Sequence, residues 1–147
     1  MINYRAGQRE VMRWLTGYGI KLAKVEDLGM QNDDGWDHFA WSLTVVNNYD
    51  HNQTAYVFPF NQGLAHTDKP TLVDIISALL SDASCVLSAR DFEDFASNLG
   101  YDPDSRKAEK IYHQIIRNNA KLCKLFRTTD LDELLTKYEP LREKAGL

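Results

Sequence analysis

The sequence predicts an α+β fold: an N-terminal helix and a small antiparallel sheet, with a hairpin at about 38–60, followed by a helical C-terminal half. Three observations lead there. In HFAWSLTVVN, residues 38–47, Phe39, Trp41, Leu43 and Val45 alternate with His38, Ala40, Ser42 and Thr44, the period-two pattern of a half-buried strand. After residue 62 the texture changes, and Leu72, Ile75, Ile76, Leu79 and Leu80 recur at helical spacing. Helix-start and helix-stop residues punctuate the rest of that second half. Strands and helices that keep to separate stretches of chain favour α+β over alternating βαβ units. The 147 residues read as one domain, a sheet-containing half at about 1–62 and a helical half at about 63–147, long enough to bury a core without staples.

The elements follow in order. Over residues 4–17, Tyr4, Val11, Trp14, Leu15 and Tyr18 share helical spacing, with Arg5, Arg9 and Arg13 on another face and Gly17 and Gly19 as stops. IKLAKVED, residues 20–27, is a first strand of poor alternation, and QNDDGWD, residues 31–37, supplies turn residues and an acidic loop. NNYDHNQ then connects the hairpin and TAYVFPF returns as its partner, where Pro59, lacking an N–H, puts the strand's end or the sheet's edge. Thr71 or Asp68 caps the next helix, which runs through KPTLVDIISALLSDA. Ser88, three before Asp91, opens a short helix through Asn98, with Gly100 as its left-handed stop. Asp102 followed by Pro103 signals the start of a long helix to about Phe126. Thr129 or Asp130 starts a last helix, which Pro140 is expected to interrupt.

Composition narrows the class. Hydrophobic residues at 44% and charged residues at 26% are ordinary for a soluble globular chain. No apolar run approaches the roughly 20 residues of a membrane span. The N-terminus has bases spaced through it and no apolar core before a small-residue cleavage site, so it does not read as a signal peptide. Cys85 and Cys123 form no CxxC and no framework, and they read as free thiols in a reducing compartment. The expected location is therefore cytoplasmic.

Charge is unevenly placed. Seven of the 17 Lys and Arg residues lie between Arg106 and Arg127, against the single acid Glu109, so this span is formally +6 while the whole chain is -4. On a helical wheel Lys110, Arg117, Lys121 and Lys124 fall within about 60° of Arg106, while Ala108, Ile111, Ile115, Leu122 and Phe126 centre nearly opposite. The expected binding residues are accordingly Arg106, Lys110, Arg117, Lys121 and Lys124. A plainer reading stands beside this one. Exposed helix faces commonly carry bases, bases near a helix C-terminus suit its dipole, and acids such as Asp91, Glu93 and Asp94 could fold back to neutralise them. The sequence pI of about 5.5 and the lack of a helix-turn-helix, RNP motif or zinc finger argue against a general DNA binder.

Other polar clusters carry less. Asp33, Asp34, Asp37 and His38 are metal-type ligands, but no Glu closes a twelve-residue loop, and an exposed acidic turn is the expectation. His66, Thr67 and Asp68 read as loop and cap residues, because sequence neighbours rarely point so as to orient each other. His51 in the hairpin connection reads as solvated. No Gly-rich phosphate loop, GxSxG or HExxH occurs, so neither an enzyme nor a cofactor or metal site is expected. Tyr56, Phe58 and Phe60 share a strand face that reads as core beneath helices rather than as a stacking platform.

Trp41 in a strand, FPFNQGLAH, KPTLVDIISALLSDA and above all DFEDFASNLGYDPDSRKAEKIY resemble small, uncharacterised proteins encoded by bacteriophages and prophages, over roughly residues 39–126. The resemblance carries no catalytic residues across. It implies a mobile-element accessory protein acting in the cytoplasm of a bacterial host cell. Such proteins often antagonise host defences, CRISPR effectors or restriction enzymes, by stoichiometric binding. The resemblance thus implies a non-enzymatic inhibitor whose partner is a host defence protein or nucleoprotein complex. The alternative is a phage nucleic-acid-associated protein using the basic helix.

Overall fold

The computed structural model describes residues 4–33, 36–47, 53–60 and 71–147. Eight elements follow in order: α1 (Tyr4–Gly17), β1 (Ile20–Asp33), β2 (Trp36–Asn47), β3 (Gln53–Phe60), α2 (Leu72–Leu87), α3 (Phe92–Asn98), α4 (Arg106–Phe126) and α5 (Leu131–Ala145). The fold is α+β with a helical C-terminal half. His51, the triplet His66, Thr67 and Asp68, and Asp34 lie outside the described residues.

The three strands form one antiparallel sheet in the order β1-β2-β3, so the strand that alternates best in sequence is the central one. Trp41, Leu43 and Val45 are buried on its core face, and Ala40 is buried as well. Strand β1 is longer than its sequence suggests. Register runs from Ile20↔Asn47 to Asp33↔Trp36, so Gln31–Asp33 belong to the strand and not to an acidic loop. Two irregularities, at Leu22/Lys24 and Asp27/Gly29, break the period and explain the poor alternation. At the second, Gly29 takes φ +70° and its N–H donates to Asp27 Oδ1 at 2.7 Å, a conformation that favours glycine. On the other side β3 is an edge strand, and Pro59 sits in it opposite Ala40.

Caps decide the helix boundaries, and two of them move from their expected places. Thr71 is the N-cap of α2 in a full capping box: its N–H donates to Asp74 Oδ2 at 2.8 Å and its Oγ1 accepts from Asp74 N. Ser88 closes α2, its N–H bonding Ser84 O at 2.9 Å, and Asp91 rather than Ser88 caps α3 by accepting from Asp94 N at 2.9 Å. A carboxylate accepts the free N–H groups of a first turn, and Ser88 is already committed to the preceding helix. Asp102 likewise does not start α4. Its carboxylate closes a local turn on Asp104 N at 3.2 Å, which competes with a capping role, and Ser105 is the N-cap instead. Gly100, at φ +79°, ends α3 as expected.

Pro140 does not interrupt α5, which runs from its Asp130 N-cap to Gly146 at φ +69°. A proline inside a helix costs about 3 kcal/mol. Burial of Leu134, Tyr138 and Ala145 on either side offsets that cost by pinning both halves of α5 to the core. Helix α5 lies so close to α1 that a Cβ on Gly7 would meet Lys144 O at 2.2 Å.

One core joins the two halves of the chain. Val11 and Leu15 of α1, Leu43 and Phe58 of the sheet, Leu72, Ile76 and Leu79 of α2, and Leu122 and Phe126 of α4 are buried together. Phe58 is core as expected, and Tyr56 packs against it with rings 6.2 Å apart. Ile111 and Ile115 are buried too, in a smaller cluster with Phe95 of α3. The helix α4 thus sits between α2, α3 and the β3 edge, which fixes the direction its remaining face takes.

Candidate functional site

The outer face of α4 carries the expected binding residues, and the structure separates them into two groups. Arg106, Arg117 and Lys124 are exposed, and their side chains form no ion pair or hydrogen bond among the described residues. From Arg106 to Lys124 the row spans about 27 Å at the helical rise. Lys110 is half-buried.

Lys121 belongs to the other group. It is half-buried, its ammonium donates to Val57 O, and it lies 5.7 Å from the centre of the Phe58 ring. Burial lowers its pKa from the ordinary lysine value, and the neighbouring Arg117 cation lowers it further. This lysine therefore points to the sheet and is not part of the free row. The difference follows from its place about 60° round the wheel, at the margin between the polar face and the β3 edge.

Two residues that sequence reasoning passed over complete this inward margin. Gln114 and Asn118, one turn apart, are both 2% exposed, and both donate a side-chain N–H to Pro59 O, the Asn118 bond measuring 3.0 Å. Alternate carbonyls of an edge strand point outward with no ladder partner. Gln114, Asn118 and Lys121 supply donors along the row formed by Pro59 and Val57, so α4 closes the sheet edge with side chains. The available signal was two amides set inside an otherwise apolar helical arc. Gln114 Oε1, Asn118 Oδ1, Asn119 Oδ1 and Trp41 Nε1 are buried without a hydrogen-bond partner among the described residues.

The neighbouring acids are committed elsewhere. Asp94 pairs with Arg90 at 3.5 Å and accepts Arg90 N–H, Asp91 caps α3, and Glu109 faces His113 at 3.7 Å. Glu93 forms no ion pair among the described residues. The folding back of Asp91, Glu93 and Asp94 onto the basic row, on which the plainer reading leaned, is thus not found. Lys107, beside the row, lies 5.8 Å from the centre of the Tyr101 ring.

The remaining candidates resolve differently. His38 is buried rather than displayed on a turn, and no group of three His, Cys, Asp or Glu residues among the described residues is placed to hold a metal ion. Cys85 and Cys123 are free, exposed and half-buried respectively. Among the described residues no helix is long and apolar enough to cross a membrane. Away from α4, a groove of about 580 Å³ between α2 and α5 is lined by Leu87 and Leu135 and rimmed by Asp132, Glu139 and Glu143. Glu139 is held there by Arg142 at 2.6 Å, a bond that lowers the carboxyl's pKa.

No protein-family model, no curated protein and no solved structure matches the chain.

Proposed function

We propose that this protein works by stoichiometric binding and not by catalysis, holding an acidic macromolecular partner against the basic face of α4. The observation that carries this reading is the row Arg106, Arg117 and Lys124, exposed and without ion pairs among the described residues although acids stand within the adjacent helix. Exposed cations left unpaired in one row set up a positive field along a helix of a chain whose net charge is -4. Acidic protein surfaces and phosphate chains both answer such a field. Taken with the resemblance to prophage accessory proteins, the partner is a bacterial defence complex of the CRISPR or restriction type, met in the host cytoplasm, and the contact is with its protein.

The test replaces Arg106, Arg117 and Lys124 with Glu and leaves Lys121, whose ammonium serves the sheet edge, untouched. Wild-type and variant proteins are immobilised and challenged with purified defence complexes, with and without nuclease. Nuclease-resistant capture by the wild type alone supports the proposal. Capture that disappears with nuclease, and whose affinity falls by about 1.5 powers of ten between 50 and 200 mM salt as three phosphate contacts require, assigns the row to nucleic acid instead. Equal capture by both proteins removes the row from function.

A further inference from the structure

The groove between α2 and α5 joins an open apolar floor to acids that the fold itself does not use. Leu87 is 41% exposed, Pro140 is exposed and Leu135 is half-buried, so the floor is not spent on the core. All of the lining belongs to α2, its Ser88 cap and α5. The bases of α5 are each committed to an acid: Lys137 to Glu133 at 3.1 Å, Arg142 to Glu139 at 2.6 Å and Lys144 to Glu10 at 3.4 Å. Asp132 and Glu143 are left over. Both line the groove, and their carboxylates form no ion pair among the described residues. They stand eleven positions apart on α5, about three turns or about 16 Å of rise, and so share one face. The end of α2 adds to their field, since Ser84, Leu87 and Ser88 come from its C-terminus and no base in its last turn offsets the helix dipole there. Pro140 contributes in another way. It lacks an N–H, so Thr136 O, also in the lining, loses its α-helical donor.

We infer that this groove binds a basic amphipathic helix of a protein partner, with its cations on Asp132 and Glu143 and its apolar side chains between them on Leu87, Leu135 and Pro140. Charge selects the class of partner. The lining holds three carboxylates and no base, a field that repels phosphate chains and anionic membrane surfaces and attracts lysine and arginine. Spacing selects its form. Along one face of α5 the order is acid, leucine, proline, acid, so a facing helix meets it with bases eleven positions apart and apolar anchors on the turns between. A third helix laid over the furrow between two others is how helices ordinarily pack. The carbonyl that Pro140 frees on Thr136 accepts an N–H from a lysine or arginine of the partner, a bond the chain's own helix no longer makes. A volume of about 580 Å³ suits a short row of side chains. The groove shares no residue with the α4 row and does not depend on it.

The probe is a fluorescein-labelled synthetic helix with lysines at i and i+11 and leucines at i+4, i+7 and i+8, compared with a scrambled peptide of equal composition. Anisotropy titrations should show the patterned peptide binding the full chain about tenfold or more tightly than the scrambled one. Asp132→Lys with Glu143→Lys should remove that preference, and Asp132→Asn with Glu143→Gln should weaken it by a smaller factor. Leu87→Ser, at an exposed position, should weaken it with the fold intact by circular dichroism. Pro140→Ala should raise the urea midpoint yet weaken the patterned peptide severalfold, a pairing that general loss of structure cannot produce. The α4 variant carrying Glu at 106, 117 and 124 should keep the preference of the wild type, so failure here and failure of the α4 proposal are separable. Equal affinity for patterned and scrambled peptides overturns the inference, as does a preference that survives Asp132→Lys with Glu143→Lys. Self-association of the chain that the same two substitutions abolish would also overturn it, giving the groove to a second copy.

Discussion

Replacing Gly7 with alanine adds one methyl group where α1 runs against the backbone of α5. A Cβ there would lie 2.2 Å from Lys144 O, 2.4 Å from Lys144 C and 2.6 Å from Ala145 N, where ordinary contact begins at 3.4 Å. All three atoms are backbone, so none can rotate aside, and α1 and α5 must part by roughly 1 Å at this crossing. Overpacking of this kind costs about 1–3 kcal/mol and sometimes more. With three backbone atoms in the way the upper end of that range applies, and alanine's better helix propensity returns about 1 kcal/mol, leaving Gly7→Ala a net loss of about 2 kcal/mol. Ala145, Leu15 and Val11, buried near this crossing or along α1, would share the strain. Gly17 is the control, because a Cβ there meets nothing within 4 Å, and Gly17→Ala should be neutral or mildly stabilising. Urea denaturation monitored by circular dichroism measures both, with the slope checked for constancy. Gly7→Ala proving as stable as the wild type, or more so, would refute the close packing of α1 on α5.

Three further outcomes follow from the same structure. Ile115→Ala empties part of the small cluster with Phe95 and should cost about 2–5 kcal/mol, read as a lowered urea midpoint; wild-type stability would mean α4 is oriented wrongly. Asn118→Ala removes one of two donors to Pro59 O and should cost about 0.5–1.5 kcal/mol, with faster amide exchange in β3; unchanged exchange would show that the edge is closed without it. Burial pushes the Asp82 carboxyl from 3.8 up to about 6. Its folded pKa is the higher one, so its stabilising contribution is complete below pH 3.8 and is lost as pH rises through about 6. Asp82→Asn should accordingly be more stable than the wild type by about 2–3 kcal/mol near neutral pH, with the gap closing on acidification. A less stable Asn variant at neutral pH would contradict the burial of an unpaired carboxylate.

Period and caps made much of this fold legible. The strand around Trp41 and the helix through Ile75 and Leu79 were readable because one face of each meets the core and repeats its hydrophobicity with the element's own spacing. Where β1 bulges at Asp27/Gly29 the period breaks, and the strand's extension to Asp33 is visible only through its register with β2. Pro140 misled because local propensity has no knowledge of the packing that holds Tyr138. Caps were ambiguous wherever several Ser and Asp residues lie together, as at Ser88 and Asp91 or Asp102 and Ser105, since only the tertiary route of the chain decides which one meets free N–H groups. At the candidate site, the wheel placed Arg106, Arg117 and Lys124 outward, and the structure agrees. Lys121 sits on the boundary of that arc, and its role was set by Val57 O, a carbonyl 64 residues away that no local pattern encodes. Gln114 and Asn118 were hidden for the same reason.

The proposal that the α4 row is the working surface is tested most directly by one affinity measurement. A captured defence complex is titrated, nuclease-treated, against the wild type and against the variant with Glu at 106, 117 and 124, whose fold is verified by circular dichroism. Reversing three exposed, unpaired cations at an interface that uses them should weaken binding at least a hundredfold, mainly through loss of charge complementarity. Affinity of the folded variant within about twofold of the wild type would contradict the proposal and leave the row a solvated helix face.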